Sequence, residues 1–163
     1  MSVTEADRDW MRRIEAEQEA ERQRESLRAK DSALLDALMK TEAAELWKRL
    51  TNELNSLAQL SAAKIGVRLA CSEIPSSEPM LRIVASPLGI AALRHAYMDV
   101  FYVPQEYQIR CLAPFLGTNQ PYVFQFCILN NALEIFDGIR TLTPEQIANK
   151  LAETLVEEVR KQR

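Results

Sequence analysis

The chain has 163 residues, with 20 Lys plus Arg against 23 Asp plus Glu and a formal charge of −3 at neutral pH. That length suits one ordinary domain, able to bury roughly two-thirds of its unfolded surface without a covalent staple. The mild acidity disfavours phosphate backbones and anionic lipid, so neither nucleic acid nor a membrane is an expected partner.

The first element is a charged arm. Residues 5–30 hold seven basic and eight acidic side chains and neither Gly nor Pro, a composition that favours helix. Trp10, Met11 and Ile14 form one short apolar patch, and only Leu27 follows among bulky residues, so there is no sustained heptad seam. Residues 1–30 are therefore expected to form a polar, solvated helical arm preceding a single domain over 31–163.

From Asp31 to about Lys64 the pattern changes. Leu34, Leu35, Leu38, Leu46, Trp47, Leu50, Leu54, Leu57 and Leu60 recur at steps of three and four, the spacing of a core-facing helix. Thr41 and Glu42 offer an N-cap and an acidic first turn, which allows a break near Met39. Gly66 supplies a left-handed stop.

The centre of the chain reads as strands over 67–74, 80–86, 97–103, 106–113 and 122–129, separated by Pro-, Gly-, Ser- or Asn-rich turns. The gaps are too short for parallel crossovers, so an antiparallel meander is expected. Ser86-Pro87-Leu88-Gly89 has type I turn preferences. Residues 89–96 carry both helical and strand spacing, which a short helix or a bulge would reconcile. A two-residue Pro104-Gln105 turn would place Tyr102 opposite Tyr107, Val100 opposite Ile109 and Met98 opposite Cys111, with Asp99 facing Arg110. Asn130-Asn131 would place Leu129 opposite Ala132, Ile128 opposite Leu133 and Phe126 opposite Ile135.

Thr143-Pro144-Glu145-Gln146 combines an N-cap, a proline at N1 and the Gln of a capping box, with Leu142 and Ile147 as a hydrophobic staple. Ile147, Leu151, Leu155 and Val159 then form a stripe able to cover a sheet over about 144–160. The expected fold is thus α+β: an antiparallel sheet of about five or six strands, a core helix over about 31–64 and a C-terminal helix.

Catalytic patterns are not written in the chain. His95 is its one histidine, and Cys71, Cys111 and Cys127 are far apart without CxxC spacing, so no dyad, disulfide framework or zinc cluster has local support. Glu134 and Asp137, read as solvated, lack a DxD or ExxH partner, and the four glycines form no phosphate-binding loop. No cofactor or metal is expected, and an interaction module is favoured over an enzyme. The acidic, polar start, unlike a signal peptide, and the absence of roughly 18 consecutive apolar residues make the cytoplasm the expected compartment.

Two surface sets remain as candidate sites. Tyr97, Asp99, Phe101, Gln108 and Arg110 would share the outer face of the first hairpin, with His95 nearby if the strand extends that far, mixing aromatic area with polar handles; the plainer reading is a sheet's water face with an Asp99–Arg110 pair. Val123, Cys127, Leu129 and Phe136 would lie opposite the Phe124 face, an uncomfortable surface for a monomer and the expected face of a homodimer, unless the helices of 31–64 cover it within one chain. The competing function is a small-molecule binder or enzyme with a cavity between sheet and helices. In size and layout alone, residues 31–163 resemble bacterial secretion chaperones, small acidic dimers that bind extended client segments. No motif carries the resemblance, so it implies a protein client but no functional residue.

Because the capped final helix supplies the strands with an apolar face, deleting residues 1–28 should leave thermal unfolding nearly unchanged. A large fall in the midpoint of the truncated chain would place the arm in the core instead.

Overall fold

In the computed structural model the backbone is described for residues 5–89, 95–116 and 122–161, and side-chain environments for these except residues 5–7, 60–64 and 116. The expectation of a helix or bulge over 89–96 rests on residues 90–94, which lie outside the described residues. The chain divides into two compact units, Met1–Ala37 and Leu38–Arg163.

Within the first unit the backbone is helical from Glu5, and residues 8–33 are all exposed. The i, i+3 pairs Arg12–Asp9, Arg22–Glu19 and Arg24–Glu21 lie 3.6 to 3.8 Å apart on this surface. Such exposed pairs contribute a few tenths of a kcal/mol at most. Helix α1 spans Glu5–Thr41, so the element boundary expected near residue 31 is absent. The break comes at Glu42, where Thr41 Oγ1 turns back to the Leu38 carbonyl. Glu42 N-caps α2 without a side-chain cap bond, and its carboxylate instead accepts the Leu133 backbone N–H at 3.4 Å.

The second unit is α+β. Helix α2 (Ala43–Ile65) ends on Gly66, whose φ of 69° is the left-handed conformation that glycine adopts without a Cβ penalty. Seven strands follow as an antiparallel meander in chain order: β1 (Val67–Ile74), β2 (Met80–Pro87), β3 (Ala96–Val103), β4 (Gln108–Leu112), β5 (Tyr122–Leu129), β6 (Ala132–Phe136) and β7 (Thr141–Leu142). The sheet thus exceeds the expected five or six strands. Two-residue β7, paired through Ile135–Leu142, is too short to show a period-two pattern. Helix α3 (Pro144–Lys161) closes the unit.

Alternation decides which face is buried. Leu81, Ile83, Met98, Val100, Ile109, Cys111, Phe124, Phe126 and Ile135 are each at most 2 % exposed, and all belong to one face in the observed register. Leu50 and Leu54 of α2 and Ile147, Leu151 and Leu155 of α3 are equally buried, and α3 touches α2, β1, β2, β3 and β7. Trp47 stacks on Tyr102 at 5.6 Å and Tyr102 meets Phe126 edge-on at 6.2 Å, tying α2 to β3 and β5. Both α2 and α3 therefore lie on the same side of the sheet.

The Asn-Asn hairpin has the expected register, with Asn130 and Asn131 at φ 52° and 59°. The first hairpin does not. Pro104 fixes a negative φ and cannot begin a primed two-residue turn, so Pro104–Glu106 form a 3-10 turn and Tyr107 takes the positive φ of 55°. Tyr102 then faces Ile109, Val100 faces Cys111, Phe101 faces Arg110 and Asp99 faces Leu112. The slip is two residues, so the faces are preserved while the cross-strand partners change.

The capping box forms reciprocally: Gln146 N donates to Thr143 Oγ1 at 3.2 Å and Thr143 N donates to Gln146 Oε1 at 2.9 Å. Arg49 of α2 grips the carboxylate of Glu145 through two 2.9 Å contacts in the same first turn. Thr143→Ala should cost about 1 kcal/mol, lowering the thermal midpoint by a few degrees, whereas Thr143→Ser should be close to neutral. Equal midpoints for the Ala variant and the parent would show that the box carries no stability.

Candidate functional site

The outer sheet face, opposite the helices, carries both sets of candidate residues except His95. On its β2–β4 side Tyr97, Asp99 and Phe101 alternate outward along β3, and Phe101 lies between Met80 and Arg110. His95 is exposed and precedes β3 rather than joining it. Gln108 faces Val103 in the adjoining strand.

The polar handles of this set are already engaged. Asp99 is bound by Arg82 through 2.7 and 2.8 Å hydrogen bonds, and the same guanidinium sits 4.9 Å from the centre of the Tyr97 ring. The hydrogen bonding that Arg82 donates to Asp99 is the main reason the Arg82 pKa is raised. Arg110, expected to face Asp99, instead pairs with Glu106 and reaches Gln108 Oε1 at 3.3 Å. Arg82 carried no signal in the sequence, because its link to Asp99 depends on β2–β3 register across 17 residues.

On the β5–β6 side the outward residues are more apolar. Val123 faces Arg110, Cys127 faces Glu134, Leu129 faces Ala132, and Phe136 lies between Gln125 and Thr141. Leu129 is 47 % exposed and Leu112, near the end of β4, is 44 % exposed; Val123, Cys127 and Phe136 are half-buried by their strand neighbours. The four residues thus share one face, which neither α2 nor α3 covers.

Asp137, read in the sequence as solvated, is instead held in the β6–β7 turn, with a side chain only 7 % exposed. Its Oδ1 accepts the N–H groups of Arg140 and Ile139 at 2.9 Å each, and Lys150 Nζ lies 3.5 Å from Oδ2. Those backbone bonds, with the lysine charge, hold its pKa below the usual carboxylate value. Lys150 also sits 4.9 Å from the Tyr122 ring centre, so this turn is a structural clasp between α3 and the sheet.

A half-open cleft of about 140 Å³ lies at the other side of the unit, where Trp47 and Thr51 of α2 meet Glu73 of β1 and Met80 of β2. Among the described residues no group of three or more His, Cys, Asp or Glu side chains is placed to hold a metal ion. The three thiols do not converge on His95, and each is disfavoured as a nucleophile. Burial pushes Cys71 up to about 11 and raises fully buried Cys111 further, while Cys127 is raised by partial burial and then by Glu134.

For an acid whose pKa is raised by folding, stability is complete below the unfolded value and declines as pH rises through it, because the unfolded chain loses its proton first. Above the ordinary thiol value of 9.0, Cys111 should therefore cost stability at up to about 1.4 kcal/mol per pH unit. Comparing urea midpoints at about pH 8 and about pH 10, Cys111→Ala should shrink the alkaline loss shown by the parent. An undiminished loss would mean that the thiol does not govern this limb.

No protein-family model matches this chain, and no characterised protein or solved structure matches it.

Proposed function

We propose that this chain is a cytoplasmic protein-interaction module that works through the outer face of its sheet, and that a second copy of the chain covers the β5–β6 part of that face. The observation carrying this reading is the apolar set Val123, Cys127, Leu129 and Phe136 on a face that both packed helices leave bare. Exposed apolar area of this kind is costly in water and is characteristic of interaction surfaces. Its polar neighbours Gln125 and Glu134 would supply the rim hydrogen bonds that give such an interface register. A two-fold partner suits one self-complementary face, and closed two-fold assembly is the commonest solution among homo-oligomers.

The β2–β4 side contributes less to binding in this reading. Asp99, Arg82 and Arg110 already have intramolecular partners, so a ligand would have to displace charge-assisted bonds to use them. A catalytic reading has weaker support: the thiols are raised, and the cleft is below the roughly 300 Å³ at which ordinary ligand pockets begin. The free thiols of Cys71, Cys111 and Cys127 suit a reducing compartment. Among the described residues no helix is long and apolar enough to cross a membrane.

Sedimentation velocity at low micromolar concentration tests the proposal. The parent should run as a dimer, and Phe136→Glu or Leu129→Glu should yield a folded monomer with dimer affinity reduced by about 100-fold or more. A parent that stays monomeric, or a dimer indifferent to both substitutions, would remove this face from consideration.

A further inference from the structure

The cleft beside Trp47 is not used by the proposed interface, and its chemistry is of a different kind. Tyr102 stacks on one side of the Trp47 indole with an interplanar angle of 15°, so the ring meets the cleft through its other face or its edge. Both are held in place, because Tyr102 is itself wedged against Phe126. Across the cleft stands Glu73, an exposed residue on the last turn-ward part of β1, opposite Leu81 in the sheet. Its carboxylate has no hydrogen-bond or ion-pair partner among the described residues. Thr51 adds a hydroxyl whose proton is committed to the Lys48 carbonyl at 2.9 Å, which presents its oxygen as an acceptor. Ile74, Met80 and Leu81 complete apolar walls.

We propose that this cleft binds the head of a small organic ammonium ion, of the methylated type found in choline. The indole face that Tyr102 leaves free and the Glu73 carboxylate, unpaired among the described residues, would attract a cation, and apolar walls suit its methyl groups better than they suit a hydrated metal ion. Size sets the limit. A cavity of roughly 150 Å³ holds a benzene-sized group, so about 140 Å³ accepts a trimethylammonium head. Anionic ligands are also disfavoured by Glu73 itself. Because the cleft is half-open, the rest of the molecule would extend into water, and affinity should be modest.

The test uses the full chain carrying Trp10→Phe, so that Trp47 is the sole remaining indole. Choline chloride should change Trp47 fluorescence saturably, with a midpoint on the order of millimolar, beyond any effect of sodium chloride at equal ionic strength. The uncharged isostere with carbon in place of nitrogen should bind roughly tenfold more weakly, as should choline to Glu73→Gln. Co-sedimentation with phosphatidylcholine vesicles would add that the head is presented on a lipid, and its absence alongside choline binding would assign a free quaternary ammonium compound. The proposal is overturned by a response that sodium chloride reproduces, by equal binding of the uncharged isostere, or by a Glu73→Gln variant that binds choline as the parent does. Dimer formation is read separately, so loss of either result leaves the other standing.

Discussion

Leu151 and Leu155 on α3 are buried where that helix meets α2 and the sheet, and the arrangement of the second unit depends on this contact. A single amphipathic helix meets β1, β2, β3 and β7, strands from both ends of the meander, so its stripe has to be apolar for nearly its whole length. Ile147, Ala148, Leu151, Ala152, Leu155 and Val159 meet that demand, and each large member contributes on the order of 2 kcal/mol when removed from water. The helix is held at its start by the Thr143–Gln146 box and by the Arg49–Glu145 fork, so α2 and α3 are joined where α3 begins.

Once one face is committed to the helices, the other is committed to water or to a partner, because side chains in a strand alternate. The consequences differ along the sheet. Around β2–β4 the outer residues satisfy one another through the Arg82–Asp99 fork, the Arg82–Tyr97 contact and the Arg110–Glu106 pair, and the face can remain solvated. Around β5–β6 no comparable charge pair among the described residues covers Leu129 and Phe136, and the proposed second copy would bury them. The same alternation places the cleft near Trp47 outside both regions, where α2 leaves the end of the β1–β2 hairpin partly open. The apolar set on β5–β6 and the cleft lined by Trp47 and Glu73 are thus chemically distinct surfaces.

Much of this architecture was legible in the residues themselves. Gly66 ended α2, Asn130-Asn131 set a hairpin register to the residue, and the Thr143 box started α3, because each depends on conformations available within a few positions. Alternation also placed Val123, Cys127, Leu129 and Phe136 on one face and Tyr97, Asp99 and Phe101 on the same side of the sheet. The first hairpin was misread by two positions because a proline was assigned to a turn whose backbone angles it cannot adopt. The continuous helix through residue 31 was missed because a change in apolar pattern marks a change in burial, which does not require a break in hydrogen bonding.

What only the tertiary structure decided is the pairing of groups distant in the chain. Asp99 had an apparent partner in Arg110 and took Arg82; Asp137 had none and acquired Lys150 and two backbone donors; Glu73 and Trp47 were unconnected residues until α2 lay beside β1. Sequence by itself determined the α+β class, the antiparallel order and the inward and outward parity of the central strands, since these follow from period, turn chemistry and caps that act locally. It could not determine which side of the sheet α2 would take. That choice rests on the burial of Leu50 and Leu54 and on the stacking of Trp47 against Tyr102 in a strand far along the chain, a balance of contacts that no local pattern encodes.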